Sequence, residues 1–306
     1  MSKLFIWVAT MRPPTLFLSI SGILVGSSLS HKSDHFSWVV FILIIMTAIC
    51  LQILANFSND YGDYVKGIDN QNRKGPKRAL QKGLLTLKEI KVANRILMIL
   101  IGFFSLSFLF LSFGIQYPSY AILIGLLLIL AIIAALRYTS GKYAYGYRGF
   151  GDLSVFLFFG GLSVLGTQFI LSHELSTTGF LWAVIIGGCC VLVLNINNIR
   201  DIENDRLQNK KTLAVILGLK GALWYHYLVT LIIVVTIIYL EMVYLNHGNI
   251  FQIIADRFLD MLFILHAIAL YHANKQNKMN HMLKYMSLLT FLIGLRTFLI
   301  SFLIDF

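Results

Sequence analysis

Long apolar runs, broken by short polar stretches, dominate this chain. Windows able to cross about 30 Å of hydrocarbon at about 1.5 Å per residue recur at 14–30, 38–58, 93–114, 119–138, 153–171, 180–199, 221–243, 253–272 and 285–304. The pattern predicts an all-α, polytopic membrane protein with about nine transmembrane helices in a single domain over residues 1–306. Unpaired backbone groups are too costly in lipid for open sheets, and the short alternating segments of a β-barrel are missing. The first and eighth windows are the weakest. One holds several Ser and Gly, and the other includes Asp256, Arg257, Asp260 and His266. The first window follows Arg12-Pro13-Pro14 without a small-residue cleavage site, so it is expected to be a retained helix.

Composition agrees with a lipid solvent. Of 306 residues, 58% are hydrophobic and only 13% charged, against about 25% in a soluble domain. The 25 Lys+Arg exceed the 14 Asp+Glu, for a net charge of +11. Such an excess suits nucleic acid, anionic membrane lipid or phosphate-bearing substrates. The apolar runs leave no continuous basic surface, which argues against nucleic acid. Cys50, Cys189 and Cys190 all lie in apolar stretches and read as small buried hydrophobes, without disulfide or metal-binding spacing.

The cations concentrate in alternate loops. Nine fall after the second window: Lys66, Arg73, Lys74, Lys77, Arg78, Lys82, Lys88, Lys91 and Arg95. Further groups follow the fourth, sixth and eighth windows, whereas the odd loops offer Lys32 and at most Arg257. By the positive-inside bias, the N-terminus and even loops face the cytoplasm and the C-terminus lies outside.

Acidic and amide residues gather at the same end. Asn56, Asp60 and Asp63 are spaced i, i+4 and i+7, which puts them on one helical face at the end of the second helix. Asn197, Asp201 and Asp205 repeat the arrangement at i, i+4 and i+8 at the end of the sixth. Carboxylates converging on one mouth repel unless cations join them. Oxygen donors of this kind suit Mg2+, which keeps waters and shares phosphate oxygens. A diphosphate held through Mg2+ by both faces would account for the duplication, with Arg78, Lys142, Arg148, Arg200 and Lys211 offsetting the remaining phosphate charge. The bland alternative is two solvated helix ends paired with nearby cations. A cation-coupled transporter also uses intramembrane acids, although these lie at helix ends and not at the midplane.

Two connectors fit a capped polar mouth. Residues 67–83 form a basic, turn-rich segment suited to wrapping an anion, or to touching lipid headgroups. Residues 137–152 interleave Tyr138, Tyr143, Tyr145 and Tyr147 with Gly and cations, as an interfacial belt or as rings facing positive charge.

Asn56 to Asp69, Arg73 to Gly83, Tyr138 to Asp152, Asn197 to Asp205 and Lys211 to Val215, with Arg12-Pro13, resemble the UbiA-type intramembrane prenyltransferases. Asp60-Tyr61-Gly62-Asp63-Tyr64, Lys66-Gly67-Ile68-Asp69 and the Asn197-Asn198-Ile199-Arg200-Asp201-Ile202-Glu203 run are similar to the branch acting on 1,4-dihydroxy-2-naphthoate. Most of the first 220 residues are covered. The chain departs from that branch at Lys142, Ala144 and Gly161, where proline is common, and at Asn209, where glycine is common.

The resemblance implies nine helices around a central cavity in a bacterial cell membrane. It also implies Mg2+ as cofactor, a polyprenyl diphosphate donor and 1,4-dihydroxy-2-naphthoate as acceptor, giving demethylmenaquinone. On this expectation Asp60 and Asp63 hold one ion and Asp201 and Asp205 the other, with Asn56 and Asn197 orienting ligands or water. Tyr138 faces the allylic cation, and Arg78, Lys142 and Arg148 contact phosphate. Asp69 serves either the metal site or the acceptor hydroxyl. Another quinone precursor, such as 4-hydroxybenzoate or homogentisate, is the competing acceptor.

Overall fold

The computed structural model describes residues 2–68, 75–141, 143–244, 250–275 and 278–303. Asp69 and Lys142, both expected at the site, fall outside the described residues.

Ten helices account for nearly all of the described chain. They are α1 (Lys3–Met11), α2 (Pro13–Ser28), α3 (Trp38–Val65), α4 (Leu87–Phe113), α5 (Pro118–Arg137), α6 (Gly151–Ser172), α7 (Thr177–Leu207), α8 (Leu213–Tyr244), α9 (Ile250–Lys275) and α10 (Met279–Leu303). Their starts are written locally. Ser37 and Ser176 cap α3 and α7, and Thr86 with Glu89 forms a reciprocal capping box on α4. Pro13 and Pro118 occupy first-turn positions, where no amide hydrogen is needed.

Among the described residues, seven helices are long and apolar enough to cross a membrane, and the α1–α2 pair makes an eighth. The ninth expected crossing coincides with α9, which contributes the apolar stretch Met261–Ala273 among the described residues.

Helices α3 and α7 run past their expected ends. With 28 and 31 residues, they reach about 42 and 46 Å. Each therefore outlasts the hydrocarbon by several turns, and those turns carry the acidic clusters. α7 is the central helix, with 72% of its apolar window buried against 11% for α5. α6 is wedged against α2 and α7 at backbone distance: a Cβ on Gly160 would lie 2.3 Å from the Ala183 oxygen, and one on Gly26 2.5 Å from that of Val164. Between Phe156 and Gly166, α6 widens into π-helical turns.

The bundle encloses a cavity of about 330 Å³ walled mainly by α2, α3, α5, α6 and α7. Its lining includes Ile23, Ile44, Phe108, Leu128 and Phe158, with hydroxyl and amide side chains of α2, α3 and α6 between them, and its charged residues are Arg12, Asp63, Arg78 and Lys210.

Candidate active site

The first acidic face is as the spacing predicts, with Asn56, Asp60 and Asp63 all buried on one side of α3. Asn56 does not line the cavity. Its Nδ2 donates to the Met11 oxygen and to Thr15 Oγ1, both at 2.9 Å, and so ties α3 to the break between α1 and α2. That break bends the chain by 46° and leaves Arg12 left-handed at φ 53°. The residue before proline is excluded from continuing the helix, and the bend aims the Arg12 guanidinium at the Asp60 carboxylate, with which it ion-pairs. Arg78 Nη1 lies 3.2 Å from Asp60 Oδ1 and 2.7 Å from Asp63 Oδ2. Tyr147 Oη donates to Asp63 Oδ1 at 2.5 Å.

On the second face, Arg200 grips both oxygens of Asp201, at 3.0 Å from Nε and 2.6 Å from Nη2. The same guanidinium donates to Asn197 Oδ1 and Asn280 Oδ1, both at 2.7 Å. Arg200, expected to neutralise phosphate, is thus a clamp on Asp201. Lys210, not Lys211, reaches Asp205, with Nζ 3.4 Å from Oδ1. The other Asp205 oxygen is buried without a hydrogen-bond partner. Burial pushes the Asp205 carboxyl up to about 6 despite Lys210, with the charges of Asp201 and Asp63 adding to the rise.

The two tips meet. Asn204 Nδ2 donates to the Ile68 oxygen at 3.3 Å, and the Lys211 amide donates to the Tyr147 oxygen at 3.1 Å. Tyr147 sits in the seam, its ring 4.1 Å from Lys66 Nζ and 5.4 Å from Lys210 Nζ. Asn59, Asp63 and Arg78 from one side and Asn197, Asn198 and Lys210 from the other line the same cavity.

Tyr138 also lines it, half-buried and edge-on to Tyr145 at 5.3 Å between ring centroids. Two glycines make room for its ring. A Cβ at Gly146 would meet ring carbon Cε1 at 2.9 Å, and one at Gly151 would meet Oη at 2.8 Å. Burial, reinforced by nearby carboxylates, holds the Tyr138 and Tyr147 phenols well above the usual tyrosine range. Arg148 is exposed, with its guanidinium 4.8 Å from the Tyr143 ring centroid, and does not line the cavity. Two of the departures from the family pattern are absorbed locally. Ala144 keeps φ −58°, within reach of a proline, and Asn209 adopts φ 54°, which asparagine tolerates better than other non-glycine residues.

The donor set fits a hard divalent ion completed by substrate. It is all oxygen, two carboxylates per tip, with one buried Asp205 oxygen unpaired. No group of three or more His, Cys, Asp or Glu able to hold a metal occurs among the described residues, and Mg2+ ordinarily keeps waters and shares substrate phosphate oxygens. Among the described residues, four carboxylates (Asp60, Asp63, Asp201 and Asp205) are met by four cations (Arg12, Arg78, Arg200 and Lys210), so these charges balance one another. A diphosphate adds roughly three negative charges, which two divalent ions offset.

Arg12, Tyr147, Lys210 and Asn198 were not singled out as site residues from the sequence. Arg12 had a signal in the Arg-Pro-Pro break, and Lys210 in its place just beyond Asp205.

The UbiA prenyltransferase family model matches residues 17–293. The chain is 39% identical to 1,4-dihydroxy-2-naphthoate octaprenyltransferase of Haemophilus influenzae over 298 residues, covering 96% of this chain and 94% of the relative. It is 43% identical to the protein of that name from Escherichia coli, covering 72% of this chain and 71% of the other. Its fold is similar to the apo structure of a UbiA homolog from Aeropyrum pernix, with TM-score 0.70, 19% identity and coverage of 95% and 98%. It is also similar to a UbiA homolog from Archaeoglobus fulgidus bound to DMAPP and Mg2+, with TM-score 0.62, 15% identity and coverage of 95% and 98%. The chain, with paired acidic helix tips closing over one mainly apolar cavity, belongs to the UbiA prenyltransferase family.

Proposed function

We propose that this protein transfers a polyprenyl group from polyprenyl diphosphate to 1,4-dihydroxy-2-naphthoate in a bacterial cell membrane, releasing CO2 and diphosphate and giving the hydroquinone form of demethylmenaquinone, which a separate two-electron oxidation converts to the quinone. The observation that carries the reading is the shared vestibule, in which residues of both acidic tips border one cavity with a mainly apolar lining. The names of the Haemophilus and Escherichia relatives support the acceptor. Family membership sets the transporter reading aside.

Asp60 and Asp63 hold one Mg2+ and Asp201 and Asp205 a second, as the oxygen-only donor set supports. When bound, the ions supply positive charge that stabilises the departing diphosphate. Arg78 exchanges part of its contact with Asp60 and Asp63 for phosphate oxygens, and Lys210 turns from Asp205 in the same way. Arg148 reaches phosphate only by leaving the Tyr143 ring, and Lys142 and Asp69 retain their expected roles. Asn197 fixes Arg200, which in turn orients Asp201. Tyr138 presents the π face of a neutral phenol to the allylic cation. The apolar wall keeps water away until the naphthoate carbon bearing the carboxylate attacks, and loss of CO2 restores aromaticity. The chain crosses the membrane nine times, with α9 among the crossings, cytoplasmic acidic tips and N-terminus, and the C-terminus outside.

Purified protein given polyprenyl diphosphates of graded length, Mg2+ and carboxyl-labelled naphthoate should release labelled CO2 in step with diphosphate, and EDTA should abolish both. Transfer to 4-hydroxybenzoate or homogentisate but not to the naphthoate would overturn the acceptor. Absence of diphosphate release with every acceptor would overturn the enzyme reading.

A further inference from the structure

A second concave site, of about 350 Å³, lies between the ends of α3, α4 and α5. Its wall includes Lys91, Arg95 and Arg137 together with Ser58, Tyr61 and Asn94, and Met98 and Leu136 supply apolar contact. No Asp or Glu lines it. None of the three cations forms an ion pair with a carboxylate among the described residues, while Lys91 Nζ lies 5.4 Å from the Tyr61 ring centroid. Asn94 donates to Ser58 Oγ at 3.3 Å, but its Oδ1 is buried without a partner. An amide can be turned end for end in such a site, and in either orientation one polar atom awaits a ligand. Three uncompensated cations around a concavity with an unsatisfied amide form a site for an anion that also carries a hydrogen-bonding group.

The surroundings indicate what kind of anion. Ile96, Ile99 and Phe103 on α4 and Ile129, Leu130 and Ile133 on α5 are exposed apolar side chains on the same two helices. They offer acyl chains a surface running away from the cationic mouth. The mouth lies at the end of the bundle that also carries the acidic tips, since Ser58 and Tyr61 share the final turns of α3 with Asp60 and Asp63. We propose that this pocket binds the headgroup phosphate of an anionic phospholipid, with the acyl chains lying along α4 and α5. A bound headgroup would brace the joint behind the active site. There, Thr139 Oγ1 donates to the Ser58 oxygen at 3.1 Å and contacts Asn59 Oδ1 at 3.4 Å, next to Tyr138 in sequence.

The test is lipid-dependent thermal stability of the full chain in detergent with EDTA and no substrate, a readout independent of prenyl transfer. Phosphatidylglycerol, but not phosphatidylcholine or inorganic phosphate, should raise the apparent Tm in a saturable way. Arg95→Gln should weaken the apparent lipid affinity roughly fivefold, and Lys91→Gln/Arg95→Gln/Arg137→Gln on the order of a hundredfold, at about one kcal/mol per cation. Lys91→Arg keeps the charge and should keep the response, which guards against a triple variant that fails to fold. An undiminished phosphatidylglycerol response in Arg95→Gln and the triple variant would overturn the proposal. An equal rise with inorganic phosphate alone would overturn the lipid assignment.

Discussion

Replacing Arg78 with Gln removes a guanidinium that touches both Asp60 and Asp63. The Arg78 side chain is 11% exposed and the two carboxylates 3% and 5%, so these charges interact with little screening. Breaking a buried pair by deleting one partner costs about 3–5 kcal/mol. Here Arg12 still pairs with Asp60 and Tyr147 still donates to Asp63, which reduces the expected loss to about 2–3 kcal/mol. In EDTA the apparent Tm of R78Q should therefore fall by roughly 3–5 °C. Millimolar Mg2+ should recover most of that fall, because the divalent ion replaces the missing positive charge on the same carboxylates. Turnover should stay about a hundredfold down even in Mg2+, since a donor to the leaving group is gone. The assay is differential scanning fluorimetry in EDTA and in Mg2+, beside diphosphate release. Equal destabilisation in both conditions would refute the charge-exchange reasoning, as would an unchanged Tm in EDTA.

Asp201→Asn should leave the helical content intact and nearly abolish turnover; a variant that keeps a tenth of normal activity would reject the assigned role. Tyr147→Phe deletes the donor to Asp63, a hydrogen bond to a charged group of about 1.5–3 kcal/mol, and should lower both Tm in EDTA and turnover; wild-type values for both would remove Tyr147 from the site. Gly146→Ala forces Tyr138 to move, because its Cβ would meet the Tyr138 backbone oxygen at 2.8 Å and ring carbon Cε1 at 2.9 Å. Its kcat should fall on the order of a hundredfold while KM for the diphosphate changes little, and an unaltered kcat would mean that the ring position is immaterial.

The acidic faces were legible because helical periodicity is geometric: residues at i, i+4 and i+7 share a face whatever surrounds them. The length of α3 and α7 was not, since a hydropathy window ends where polar residues begin, whereas the helix continues through Asp60–Asp63 and Asp201–Asp205 to Val65 and Leu207. The partners of those acids were harder still. Arg12 meets Asp60 only because the chain turns at a left-handed residue before Pro13, and the direction of that turn is not written in hydropathy. Whether Lys210 or Lys211 faces Asp205 depends on one residue of register after α7, where Asn209 takes φ 54°. Asn56 illustrates the opposite error. Its spacing matches the acids, yet its Nδ2 holds α3 to the α1–α2 break while its Oδ1 accepts from Gln52, so it reaches the cavity wall only through that neighbour.

The central claim is that the two acidic tips act as one site through two divalent ions that a diphosphate completes. Counting bound Mn2+ by EPR, as a Mg2+ substitute, with a non-reactive prenyl thiolodiphosphate present tests it most directly. The account predicts two ions per chain in the presence of the analogue and a loss of about one ion in each of Asp63→Asn and Asp205→Asn. A stoichiometry of one in the wild type, or two ions retained in both variants, would contradict it.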